Sequence, residues 1–120
     1  MLTLAEVLSD FAAFAGLPDN ASVGIDAVNS DGATPLHWMA TLGDSAAIQI
    51  LAASGANLDA QDRAGNTPLH EAVANRQARA AESLLLAGAK LDCRNARGFT
   101  PRDIAAQDKY EPTLAILAGQ

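Results

Sequence analysis

Two histidines, one cysteine and a scatter of loop carboxylates are the residues of this 120-residue chain that could do chemistry. His37 and His70 attract notice first, because each follows the same Thr-Pro-Leu triplet. A shared zinc would need their nitrogens about 3–3.5 Å apart, each ~2.1 Å from the metal. Helices packed side by side lie about 8–10 Å apart, and no Cys or third His falls at a matching position. Hydrogen bonding to the backbone of each turn and its neighbour accounts for both rings, so no metal is expected. Cys93 is followed by Arg94. Adjacent residues of an extended chain face opposite sides, so that guanidinium is not placed to generate a thiolate. Asp31, Asp59 and Asp62 read as loop carboxylates that form turns with their own backbone. None is spaced from another as a general acid and base. There is no Gly-rich phosphate loop, no Walker motif and no His-Glu-x-x-His. No catalytic residue and no cofactor is expected.

The elements that carry these residues repeat. Gly32, Gly65 and Gly98 are 33 positions apart, as are Thr34, Thr67 and Thr100, and Pro35, Pro68 and Pro101. Leu36 with Leu69, His37 with His70, and Leu51, Leu84 and Leu117 keep the same spacing. Each unit opens on turn chemistry: glycine for positive φ, threonine to cap, proline for the first helical position. A short helix follows from Pro35 and ends at Gly43. A second runs from about Asp44 to Ser54, with Ile48, Leu51 and Ala52 on one face. Residues 56–65 have no helical period and read as an extended loop or hairpin. The next unit gives helices near 68–75 and 78–87, and the last gives 101–107 and 112–118. Before the repeats, Thr3-Leu4-Ala5-Glu6 is a capping box. Leu4, Val7, Leu8, Phe11, Ala15 and Phe14 form a stripe at helical spacing. That helix stops at Gly16 and Pro18, and a loop leads to Gly24. It either covers the open face of the first unit or docks a partner or a second copy.

Thr-Pro-Leu-His at this period, with a Leu-rich second helix and then Gly-Ala, resembles the ankyrin repeat. The resemblance covers residues 25–120 and implies an all-α solenoid of helix-turn-helix units joined by hairpin loops. The units fall at about 29–61, 62–94 and 95–120, behind an N-terminal capping helix and loop in 1–24. Several departures stand out. Met39 replaces a small alanine, so the first unit must make room for it. Arg76 and Lys109 occupy the column of Gly43. Arg102 and Asp103 replace Leu and His in the last unit, which suits a terminal cap whose outer face meets water. In the family, His37 and His70 would brace the stack.

The resemblance also implies which surface binds. Hairpin tips and first-helix positions line a concave groove, and partner-reading residues are those the repeat leaves free. Around the glycines these are Ser30, Asp31 and Ala33, then Arg63 and Asn66, then Arg97 and Phe99. After the histidine column come Trp38, Glu71 and Ile104. Near the ends of the first helices come Thr41, Leu42, Asn75 and Asp108. Trp38 either projects into the groove as a hot spot or packs under the hairpin and against Met39.

Composition bounds the function. Hydrophobic residues make up 49% and charged residues 18% of the chain, so it buries a core and is not disordered. One cysteine excludes a disulfide framework. The first Lys or Arg is Arg63, so a secretory n-region is absent, and no apolar run approaches the ~20 residues of a membrane span. A cytoplasmic monomer is expected. The use of 27 Ala, and of Arg over Lys, points to a GC-rich bacterial source. A net charge of −6 excludes nucleic acid, whose affinity comes from cations neutralising phosphates. Residues 1–62 hold eight acids and no base, a field that either aids solubility or steers a basic protein. The expected function is a non-catalytic module that binds another protein on its concave face. The alternative is an inhibitor or immunity-type protein that neutralises a basic enzyme or toxin.

Overall fold

Thr34, Thr67 and Thr100 each begin the same local construction. All three are extended, with φ of −87°, −86° and −89°, and each hydroxyl accepts the backbone N–H three residues on. The residue at that third position reaches back to the threonine N–H, completing a capping box, and proline fills the first helical turn. A computed structural model of the chain describes residues 3–14 and 24–119. Its helices are α1 (Leu4–Phe14), α2 (Pro35–Leu42), α3 (Ser45–Ala53), α4 (Pro68–Ala74), α5 (Ala78–Ala87), α6 (Pro101–Asp108) and α7 (Glu111–Ala118). The expected stop of the first helix at Ala15, Gly16 and Pro18, and the loop after it, lie outside the described residues. So does the side chain of Phe14.

Helices pair within units and stack between them: α2 on α4 on α6, and α3 on α5 on α7. The core is built column by column. Leu51, Leu84 and Leu117 are buried, as are Ala47, Ala80 and Thr113, and Met39, Ala72 and Ala105. Burying each such leucine contributes roughly 1.5–3 kcal/mol. The columns break at the last unit. Leu36 and Leu69 are buried, but Arg102 in the same column is exposed. Each of the two leucines has a following unit to cover it; among the described residues no helix pair follows that of Arg102. At the other end α1 packs on α2 and α3. Val7 and Phe11 are buried, and Leu4 and Leu8 pack against the same core. Met39 is accommodated inside it.

The connections from one unit to the next are hairpin loops, as the all-α reading expects. There is no β-strand among the described residues. Each hairpin is held by a short turn: Asn29 N–H bonds Ala33 O at 3.0 Å, Asp62 N–H bonds Asn66 O at 3.0 Å, and Asn95 N–H bonds Phe99 O at 2.9 Å. A second backbone bond closes each tip, from the Gly32, Gly65 and Gly98 N–H to Asn29, Asp62 and Asn95 O at 2.9–3.0 Å, and the pairing does not extend into a ladder.

Candidate functional site: the concave face

The turns stack into a continuous wall. Arg63 N–H donates to Asp31 O at 3.0 Å, and Ala96 N–H to Ala64 O at 2.8 Å, so successive hairpin tips are joined by backbone. A side chain fixes each turn from inside. Asn29 Oδ1 accepts from Asp31 and Ala33, Asp62 Oδ1 from Ala64 and Asn66, and Asn95 Oδ1 from Arg97 and Phe99, all at 2.9–3.0 Å. Asp62 therefore forms the expected turn with its own backbone. Asp59 does not: its Oδ1 accepts the Lys90 N–H of the next loop at 3.0 Å, because that loop presents an otherwise unbonded amide.

The two histidines lock the wall to the helices. His37 Nδ1 accepts the Thr34 N–H at 3.1 Å, and His70 Nδ1 accepts that of Thr67 at 3.0 Å. A nitrogen that accepts an amide proton carries none of its own, so the proton is on Nε2. That Nε2–H donates to the next unit: His37 to Asn66 O at 2.7 Å, His70 to Phe99 O at 2.8 Å. Both ring nitrogens are used, which leaves neither for a metal. Burial pushes both pKa values below the usual 6.5, against the opposing pull of the carbonyl bond and of Asp62. Asp103 takes the histidine's place in the last unit. Its carboxylate accepts the Thr100 N–H at 3.0 Å, and that bond holds its pKa down. Asp keeps the inward half of the histidine's work; the outward half would need a further hairpin.

Five of the expected contact residues come together. Asn66, Glu71, Arg97, Phe99 and Ile104 line one open cavity of about 460 Å³ between the second and third units. Thr41 joins its edge, donating to Glu71 Oε2 at 3.5 Å. Ser30, Asp31, Ala33 and Arg63 lie along the hairpins to one side. Leu42 is exposed at the end of α2, and the Asn75 amide bonds Glu71 O at 2.8 Å. Asp108 is already engaged, since Arg76 bonds both its oxygens at 3.0 and 3.1 Å while lying 5.2 Å from the centre of the Tyr110 ring. Trp38 stands apart from the cavity. Its ring packs on Phe11 of α1, with centroids 6.1 Å apart and planes tilted by 52°. Glu71, which holds the same column in the next unit, does line the cavity. Sequence reasoning missed one neighbour of the cavity. Asp62 stands beside Glu71, and burial together with that second carboxylate raises the Glu71 pKa. The signal was present: the turn column reads Asn29, Asp62, Asn95.

Cys93 is partly buried, and burial, with Asp59 nearby, pushes its thiol up. That is the opposite of what a nucleophile needs. No helix among the described residues is long and apolar enough to cross a membrane.

A family model of ankyrin repeats in three copies matches residues 11–95. The chain belongs to the ankyrin-repeat family. The third ankyrin helix pair, α6 and α7, lies beyond the match and repeats the geometry of the two before it. Ankyrin repeats are in general protein–protein interaction modules, so a protein is the class of partner to expect. No curated protein matches this ankyrin chain.

Proposed function

We propose that this chain is a non-catalytic, monomeric module that holds a protein partner against its concave face. One observation carries the reading: side chains from two units, free of repeat duties, converge on one open cavity beside the hairpin wall. A surface of ~800 Å² per partner is the usual requirement for a specific complex, a modest share of the 6370 Å² that the whole chain exposes. The test uses a partner captured from the source cell. Phe99→Ala should weaken its binding by about 2 kcal/mol, while Leu86→Ala, on the opposite face and 80% exposed, should leave it unchanged. Equal affinity of the Phe99 variant and the parent would sink the reading.

A narrower form has its own support. With eight acids and no base over residues 1–62, an inhibitor or immunity-type protein would capture a basic enzyme or toxin quickly. Association should then slow steeply between low and physiological salt. A rate that ignores salt would count against capture of this kind.

A further inference from the structure

The helix pairs are not buried alike. α4 and α5 bury Leu69, His70, Val73 and Leu84, with Pro68 and three alanines. α6 and α7 bury Pro101, Ala105, Thr113 and Leu117. Ile104 and Leu114 are only half-buried, and Arg102 and Asp103 are exposed where Leu69 and His70 are not. One of the four buried residues is itself a defect. Thr113 stands in the column of Ala47 and Ala80 at 1% exposure, and its hydroxyl has no hydrogen-bond partner among the described residues. A hydroxyl taken out of water without a partner opposes folding. Two further features weaken the same pair. α6 ends on Lys109, a side chain held in the left-handed region at a φ of 56°. Tyr110 gives α7 no side-chain cap, whereas Asp44 caps α3; α5 lacks a cap too, but is packed between α3 and α7.

The hairpin in front of α6 is tied down far better than the helices behind it. His70 Nε2–H reaches Phe99 O at 2.8 Å, Ala96 N–H reaches Ala64 O at 2.8 Å, and the Asn95 amide reaches Asn66 Oδ1 at 3.0 Å. α6 and α7 are latched to the second unit by Arg76, which bonds Asp108 at 3.0 and 3.1 Å and lies 5.2 Å from the centre of the Tyr110 ring. The Arg76 side chain is 58% exposed, and an ion pair so placed contributes little. In a linear stack each unit is held by its own packing and by its immediate neighbours. For α6 and α7 the first is poor, and the described residues supply the second on one side only.

We propose that α6 and α7 open together as a separate unit, ahead of the rest of the stack and with their hairpin still attached. α6 supplies Ile104 and Gln107 to the concave cavity, so the cavity has all its walls only while the pair is docked, and a partner seated there draws the pair closed. That last step rests on the concave face being the docking surface; the opening does not. The chain carries its own probe at each end, a single tryptophan, Trp38, in α2 and a single tyrosine, Tyr110, before α7. In urea the Tyr110 ring resonances should lose their native shifts at a lower concentration than the one at which Trp38 emission changes. In native-state hydrogen exchange of the full chain, amides of α6 and α7 should be protected at least tenfold less than those of α4 and α5. Thr113→Val keeps the side chain's shape without its hydroxyl, and should raise protection of α6 and α7 at least threefold. Arg76→Gln should lower it. Neither should alter α4 and α5. A single transition on both probes, equal protection of the two pairs, or a substitution that acts alike on both pairs overturns the proposal. Any of these leaves the docking face intact, since that rests on the separate response of a captured partner to Phe99→Ala.

Discussion

Lys109 has a φ of 56° and Arg76 one of 58°, in the column where Gly43 has 77°. The helix-to-helix turn thus keeps its left-handed residue even where glycine is missing. A side chain there costs about 1–2 kcal/mol. Lys109 shows no compensating bond from its side chain. Lys109→Gly should therefore raise stability in urea by about 0.5–1 kcal/mol, the strain relieved less the extra freedom given to the unfolded chain. Arg76→Gly should gain less, because Arg76 also holds Asp108 and covers Tyr110. A larger gain at Arg76 than at Lys109 would mean that those contacts contribute nothing. The sequence shows the missing glycines at once. It does not show that the chain would keep the conformation and accept the strain, since that choice is made by the two helices that must still meet.

At the scale of the element, the hairpin wall is as tight as its glycines allow. A Cβ on Gly65, which has a φ of 77°, would sit 2.6 Å from the Ala96 N–H nitrogen. A Cβ on Gly98, with a φ of 85°, would meet nothing within 4 Å. The difference is position in the stack: the second hairpin has a neighbour beyond it and the third does not. Gly98→Ala should cost about 1–2 kcal/mol from backbone strain alone, and Gly65→Ala about 3 kcal/mol, because the next hairpin must also move away. Equal costs, by urea denaturation, would show that the tips do not stack as tightly as Ala96 N–H to Ala64 O implies. The N-terminal helix is tested through the single tryptophan. Phe11 is fully buried and packs on Trp38, so Phe11→Ala should cost about 3–5 kcal/mol and shift Trp38 emission to the red. Unchanged emission would mean that α1 does not cover that ring. These elements were largely legible beforehand. Period, caps and leucine faces placed the paired helices within a residue or so of Ser45–Ala53 and Ala78–Ala87. The direction of Trp38 was not, because helical spacing puts it on a flank that either α1 or a partner could occupy. Nor was the Asp62–Glu71 contact, which joins residues nine apart that only the turn of the chain through Thr67 brings together.

For the whole molecule, the stack is joined across units by two histidines that work only when neutral. Each needs a bare Nδ1 to accept its own threonine N–H and a protonated Nε2 to reach the next hairpin. A second proton would set donor against donor at Nδ1 and place a charge in a buried ring. Their folded-state pKa values accordingly lie below 6.5. The unfolded chain therefore takes up protons first as pH falls, and stability falls with it. The contribution of the neutral rings is complete above about pH 7.5. It begins to fade near the unfolded value of 6.5 and is gone below the folded-state values. Glu71 works in the opposite sense: its raised pKa means that protonation relieves a penalty in the folded chain. That relief enters as pH falls through its raised value toward the ordinary 4.5, and it opposes the fall set by the histidines. Urea midpoints should drop from pH 7.5 to 5.5, and more steeply in Glu71→Gln, where the opposing group is gone. His70→Gln should lower stability at pH 7.5 while flattening the slope, because one of the two titrating rings has been removed. A midpoint that holds steady or rises over that interval would show that the rings accept a proton without releasing the carbonyls of Asn66 and Phe99, and that the units are bound to one another by their apolar columns alone.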